Sequence, residues 1–328
     1  MDEGSIPSAS TIYIKMKNII KKIKESGGFV NAHSHIDRAN TFSYFSKEEQ
    51  YAFLTEKWKL VDKIKSQSST EDYKRRMLKC IENQQQFGVT ALLSFIDIDD
   101  IAGFRAIKAA IEIKEEKDFE FKIACQTLKG VLSEKYEKMI ESQMPNIDII
   151  GSLPSADKSK EKHLDKVMGW AKKYNKRLHV HVDQLNTPNE KETELLARKT
   201  MQWGIEEKVT AVHSISLACH PKYYRQEVYK MSRDAGMSFV SCPSAWIDHP
   251  RREDLAPIHN SITPVDELVE NGLIVAIGSD NIMDVYKPYC DGDMAFELRM
   301  LLEACKIYDE DELVKIATIN GRKVLGLL

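Results

Sequence analysis

The sequence lacks what would take a protein to a membrane, to nucleic acid or out of the cell. No stretch approaches the roughly 20 apolar residues of a membrane span. The first residues, MDEGSIPSASTIYIK, have neither the basic start nor the apolar centre of a signal peptide. Formal charge is −3, from 47 Lys and Arg against 50 Asp and Glu, so no basic excess invites nucleic acid or an anionic bilayer. The six cysteines (Cys80, Cys125, Cys219, Cys242, Cys290 and Cys305) are scattered without a CxxC pair. That argues against a disulfide framework and for the reducing cytoplasm. No Gly/Ser-rich linker, composition break, internal repeat or low-complexity tract divides the 328 residues. A small-molecule partner fits this profile, and homo-oligomer formation is left open.

What is present is alternation. A helix is expected over 11–26, stopped by Gly27-Gly28. Apolar, strand-like runs then end near Asp37, Ile98, Leu128, Leu153, Gln184, Ser216, Trp246 and Asn281. Charged amphipathic stretches separate them at 47–87, 101–116, 132–143, 158–174, 189–203, 221–235 and 265–271, and 294–306 and 309–319 supply closing helices. Such alternation implies βαβ units and a parallel sheet, and eight runs favour an α/β fold of the closed (β/α)8, TIM-barrel type. Residues 1–27 read as a leader and helix, and 28–328 as the barrel. The segment 47–87 is long enough for two helices. The Lys/Glu runs EKWKLVDKIK (56–65) and KEEKDFEFK (114–122) read as solvated helix faces. The Pro- and charge-rich loop 247–264 suits part of a lid, with His249 and His259 solvated in it.

The chemistry gathers at the strand ends. His33 and His35, two apart in FVNAHSHID, share one side of a strand. RLHVHVDQ (177–184) offers His179 and His181, of which His181 lies nearer the mouth and His179 suits a buried, hydrogen-bonded place. His213 ends the sixth run, and Asp280 follows the apolar run of the eighth. Barrel active sites sit where the C-terminal strand ends meet. Three imidazoles and a carboxylate there suit one divalent transition metal, Zn²⁺ above all, with Fe²⁺ or Mn²⁺ as alternatives. His213 is then a fourth nitrogen ligand or the group that holds the reactive water, and Asp280 the group that shuttles its proton.

With these residues assembled, the chain resembles the amidohydrolase superfamily, in its cytosine deaminase-like branch near the N-isopropylammelide amidohydrolase-like members. The resemblance rests on NAHSHID, IGSLPSAD (150–157), HVHVDQ, VTAVHS and GSDNIMDVYKPYCDGDM (278–294). It implies a metal-dependent hydrolase with His33, His35, His181 and Asp280 as ligands of one metal and His213 orienting water or polarising substrate. Strand four ends in Leu153-Pro154-Ser155, without the lysine that bridges two metals in binuclear relatives. Lys129 is the only barrel-end lysine that invites a check.

Three departures bear on the reaction. Gln184 stands three residues after His181, where the deaminases have a proton-relaying glutamate; an amide cannot relay a proton near neutral pH. Leu128 in CQTLKG takes the place of a glutamine that reads the pyrimidine edge. The chain is also expected to lack most or all of the accessory β-sandwich formed by both termini of longer members. The expected activity is therefore hydrolysis of a non-peptide C–N bond in a small cyclic amide or an amino- or alkylamino-heterocycle. Cytosine-type deamination is the alternative, and a catalytically silent ligand-binding barrel is the alternative of another class. A Schiff-base barrel using Lys129 is a further, remote one. Arg38 either clamps a carboxylate or carbonyl oxygen or forms a salt bridge. Asp183 and Asn281 either bind amide edges of substrate or cap strand ends, and Trp246 either stacks on a planar ring or packs against the loop. Asp284 and Tyr286 lie close enough in sequence to Asp280 to reach the same ligand.

Overall fold

The computed structural model describes residues 9–245 and 261–328, with side chains from residue 15 onward. Eight parallel strands follow one another in sequence order: β1 (Phe29–Ser34), β2 (Val89–Asp97), β3 (Glu120–Gln126), β4 (Ile149–Ser152), β5 (Arg177–Val182), β6 (Val209–His213), β7 (Ser238–Ser241) and β8 (Ile274–Ile277). A parallel bridge between Ser34 and Asp280 joins the last strand's continuation to the first, so the sheet closes into a barrel. Helices on the outside return the chain between strands, as right-handed crossovers require.

The strands read as near-continuous apolar runs because both of their faces are covered. In β2 the alternation is plain. Leu92 and Ile96 join the large cluster between sheet and helices, whereas Ala91, Leu93 and Phe95 join a smaller one with Val30, Ala124, Val212, Val240 and Ala276. Val324 and Leu325, from the end of the last helix (Ile319–Val324), belong to that smaller cluster as well. They lie at the end of the barrel opposite the mouth, where the Val324 carbonyl also meets His179.

Local chemistry sets the helix starts. Ser133, Ser159 and Asp309 cap the helices Glu134–Ser142, Lys160–Tyr174 and Glu310–Ala317 through their side-chain oxygens. The stretch 47–87 holds three helices rather than two: Lys47–Gln50, Leu54–Gln67 and Thr70–Gln86. Capping boxes at Ser46 and Ser69 start the first and third of these. The run 56–65 is not a solvated face. Lys57 and Lys65 are buried, and Trp58 turns toward the barrel mouth. Lys65 is held by Asp99 at 2.6 Å and Asp97 at 3.1 Å, which is why a lysine is tolerated there. Among the described residues no helix is long and apolar enough to cross a membrane.

Candidate active site and metal centre

Each strand end delivers its side chain to one place. His33 lies within β1 and His35 one residue beyond it, so the two rings meet edge to face at 5.0 Å between centroids. His181 comes from β5, its ring 4.7 Å from His33, and His213 is the last residue of β6, 5.3 Å from both. Asp280 lies beyond β8, where the chain turns back across β1. Its N–H donates to the His33 carbonyl at 3.0 Å, and its own carbonyl accepts from His35 N at 3.3 Å. That crossing needs Gly278, because a Cβ there would lie 2.7 Å from the Cβ and carbonyl oxygen of His33. Asp280 itself has φ +58°, a left-handed conformation that aims its carboxylate back into the mouth.

The donor atoms fit a divalent metal. His33, His181 and His213 each offer a ring nitrogen within 4.8 Å of the others, as do His33, His35 and the Asp280 carboxylate. Asp280 Oδ1 lies 3.4 Å from His33 Nε2 and 3.3 Å from His35 Nε2. Both His33 nitrogens, His35 Nδ1, His181 Nε2 and His213 Nδ1 are buried without a hydrogen-bond partner. Leaving so many polar atoms dry is costly unless a cation takes their lone pairs. His181 shows how one lone pair is aimed. Its Nδ1 meets the Ser152 carbonyl at 3.1 Å, so Nδ1 carries the proton and Nε2 is left as the free acceptor.

Electrostatics favour the same protonation states. Burial drives the His181 and His35 imidazoles well below their ordinary range and lowers His213 to about 3, so these rings are neutral. Burial lowers His33 too, although the Asp280 carboxylate works against it. For Asp280, burial pushes upward, but contacts to His33 and His35 and the Lys287 charge outweigh it and hold the carboxyl well below its usual range. Neutral imidazoles and an ionised carboxylate are what a metal requires of its ligands.

The pocket is lined by His35, His181, His213 and Asp280 on the barrel floor. Arg38, Gln126, Gln184 and Asn281 lie around its polar side, and Leu54, Trp58, Leu128, Leu153 and Tyr286 complete it. Among the described residues Asp280 is its one carboxylate. Gln184 and Leu128 thus stand where the sequence places them. Gln126, two residues before Leu128, also lines the pocket, and its place at the end of β3 is revealed only by the strand boundary. Asn281 lines the pocket while its amide donates to Asp284 at 2.6 Å.

Asp183 does not take part. Its φ is +54°, and its carboxylate turns away to accept from Glu192 N (2.7 Å), Thr193 N (3.1 Å) and the Thr193 hydroxyl (2.5 Å), capping the helix Glu192–Trp203. Lys129 does not line the pocket; it pairs with Asp62 at 2.5 Å, which removes the observation behind a Schiff base. His179 is buried and hydrogen-bonded as expected, its Nε2 3.0 Å from the Val324 carbonyl, and burial lowers it to about 3. Trp246, His249, His259 and most of the expected lid lie outside the described residues.

Several supporting residues escape sequence reasoning. Asn31 accepts from Ser279 N at 3.0 Å and donates to Ser279 Oγ at 2.8 Å, fixing the residue before Asp280. Lys287, buried, donates to the Ser279 carbonyl and to Ser244 Oγ. Ser244 Oγ in turn donates to Glu297, whose carboxyl burial pushes up to about 7. His163, placed on a helix by its sequence pattern, is fully buried between Asp157 (2.7 Å) and Ser152 Oγ (2.9 Å). This hydroxyl–imidazole–carboxylate string resembles a nucleophilic triad, but none of the three lines the pocket. It holds the residue whose carbonyl orients His181.

Comparison with known proteins agrees with this geometry. The sequence profile described as the Amidohydrolase family matches residues 44–327. An uncharacterized protein of Haemophilus influenzae is 43% identical over 263 residues, 76% of this chain and 92% of its own length. N-isopropylammelide isopropyl amidohydrolase of a Pseudomonas species is 27% identical over 92% of this chain and 75% of its own. Among solved structures, 5-methylcytosine deaminase from Klebsiella pneumoniae with phosphonocytosine superposes with a TM-score of 0.82 at 24% identity, covering 92% of this chain and 75% of that one. This last likeness shows the barrel fold. The chain is a member of the amidohydrolase family, a hydrolase of C–N bonds other than peptide bonds.

Proposed function

We propose that the protein hydrolyses a C–N bond of a small cyclic amide or of an amino- or alkylamino-heterocycle, with one metal ion, zinc in the purified protein, held by His33, His35, His181 and Asp280. The carrying observation is that one ionised carboxylate, Asp280, faces a pocket whose buried imidazole nitrogens are otherwise unpartnered. Relatives at about a quarter identity bear the names N-isopropylammelide isopropyl amidohydrolase and pterin deaminase, the latter from Rhizobium rhizogenes and matched over 54% of this chain. When bound, a divalent metal acidifies a water and polarises the carbon it attacks.

The protein's own groups do the rest. Asp280 accepts the proton of the attacking water and delivers it to the leaving nitrogen. His213, kept neutral by burial, cannot act as a cation; it donates an N–H hydrogen bond to the developing negative charge. Gln184 and Gln126 present amides to the edge of the substrate, and Leu128 and Trp58 cover its apolar surface. Arg38 and Asn281 bind the far side of the ring. None of the six cysteines is joined in a disulfide among the described residues, in keeping with a cytoplasmic enzyme.

Cytosine-type deamination is the second reading, favoured by Gln126 at the end of β3. Gln184 weighs against it, because no ionisable group stands at that position to protonate a ring nitrogen. The test is a panel of cyclic amides, aminopyrimidines and alkylamino-heterocycles incubated with the zinc-loaded protein, with ammonia and amine release measured separately. Turnover lost on chelation and restored by metal supports the reading. A protein that retains no stoichiometric metal after purification in its presence refutes it.

A further inference from the structure

The backbone at His213 is bent in a way that its own residues do not favour. His213 has φ +76° and Ser214 φ +51°, two successive left-handed residues, neither of them glycine. Such a conformation persists only where its surroundings enforce it. The bend decides where the imidazole points. His213 Nδ1 is buried without a hydrogen-bond partner, so it lacks the kind of bond by which the Ser152 carbonyl aims His181.

Two hydroxyls hold the bend. Thr263 Oγ1 donates to the His213 carbonyl at 2.5 Å. At the next residue, Ser214 Oγ lies 3.1 Å from Thr193 Oγ1. Thr193 directs its own proton to Asp183 Oδ2 at 2.5 Å, and Asp183 is fixed in turn by the backbone N–H groups of Glu192 and Thr193. The Thr193 oxygen is thereby left as an acceptor, and the Ser214 hydroxyl donates to it. Asp183, Thr193 and Ser214 are buried, so no solvent stands by to replace these bonds. Backbone bonds from Ser214 N to the Val182 carbonyl and from Ser216 N to the Asp183 carbonyl, both 3.0 Å, tie the same two strand ends. We infer that Thr193, oriented by Asp183, is a positioning residue for His213: through Ser214 it holds the bend that presents the imidazole to the reacting carbon. This rests on the proposed reading of His213 as a donor to the developing charge and adds what keeps that donor in place. Asp183, which does not line the pocket, thus acts on it from behind.

The experiment replaces Thr193 by valine, which keeps the shape and removes the hydroxyl, and by serine, which restores it. Ser214→Ala breaks the string at its other end and leaves the cap of the helix Glu192–Trp203 intact, so it carries the test if the valine variant does not fold. Asp309→Ala removes the cap of the helix Glu310–Ala317 and controls for loss of stability alone. Each full-length variant is purified with zinc, checked by its melting curve and labelled with nitrogen-15 at histidine, the His213 ring signals being those lost in His213→Gln. In the wild type they should be single and sharp. In Thr193→Val and Ser214→Ala they should broaden or split as the ring leaves its fixed orientation, while Thr193→Ser and Asp309→Ala match the wild type. A substrate from the panel should show kcat lower by about tenfold or more in Thr193→Val, with KM little changed. Unchanged His213 signals in a folded Thr193→Val or Ser214→Ala protein overturn the inference, as does equal broadening in Asp309→Ala or failure of serine to restore the wild-type spectrum. The spectra need no turnover, so these outcomes are separate from those that refute the hydrolase reading.

Discussion

Replacing His163 by leucine tests whether a residue outside the pocket governs the metal centre. The string runs from Asp157 through His163 to Ser152 Oγ, and from the Ser152 carbonyl to His181 Nδ1. In the neutral ring the carboxylate fixes the proton on Nδ1, so Nε2 accepts from the serine hydroxyl. Leucine fills much of the volume but strands Ser152 Oγ, which is fully buried, at about 1–3 kcal/mol. It also removes a hydrogen bond to a charged group, on the order of 1.5–3 kcal/mol. Asp157 is less exposed to loss, because Val131 N still donates to it at 2.8 Å. A stability loss of about 2.5 kcal/mol is therefore expected, the sum of the lower ends of those ranges.

The functional effect is separate from that loss. With Ser152 free to shift, His181 loses its fixed tautomer and aim, and outer-shell losses of this kind weaken metal binding about 10–100-fold. Zinc affinity is measured by competition with a chromophoric chelator, at a temperature where circular dichroism shows the variant folded. His163→Gln, which keeps one hydrogen-bonding partner, should fall between. A folded leucine variant that binds zinc as the wild type does would refute the reasoning and leave the string a stability device only.

Three further outcomes follow from the same geometry. Asp280→Asn removes a ligand and the proton carrier together, so kcat should fall by about 10³-fold or more while the far-ultraviolet dichroism is unchanged; near-normal turnover would refute the assigned role. Gln184→Glu places a titratable carboxyl at the pocket edge and should add or raise ammonia release from aminopyrimidines, read by a coupled ammonia assay. Glu190, buried against Glu192 and Asp183, has its carboxyl pushed up to about 8 by burial and by those neighbours. Its native form therefore holds a proton that the unfolded chain releases, and stability should decline as pH rises from the ordinary glutamate range through about 8. Glu190→Gln should flatten that decline in melting temperatures recorded across the range.

The sequence by itself determined the barrel and the cluster of histidines and one aspartate at its mouth. Eight apolar runs can be counted because parallel strands covered on both faces are uniformly apolar, and HxH, HVH and the terminal aspartate stand out against them. His33, His35, His181, His213 and Asp280 were legible because each lies at or just past a strand end, and closing the barrel must bring those ends together. The direction of a side chain at a loop position was not legible. Asp183 and Asp280 both follow strands in left-handed conformations, yet one caps a helix and the other faces the pocket; backbone turns decide this, not residue type. Nor could composition show that Lys57 and Lys65 in a charged helix are buried, or that Gln126 lines the pocket beside Leu128. Those depend on which partner happens to stand opposite, and partners far apart in the chain, such as Asn31 with Ser279 or Ser244 with Glu297, meet only once the fold exists.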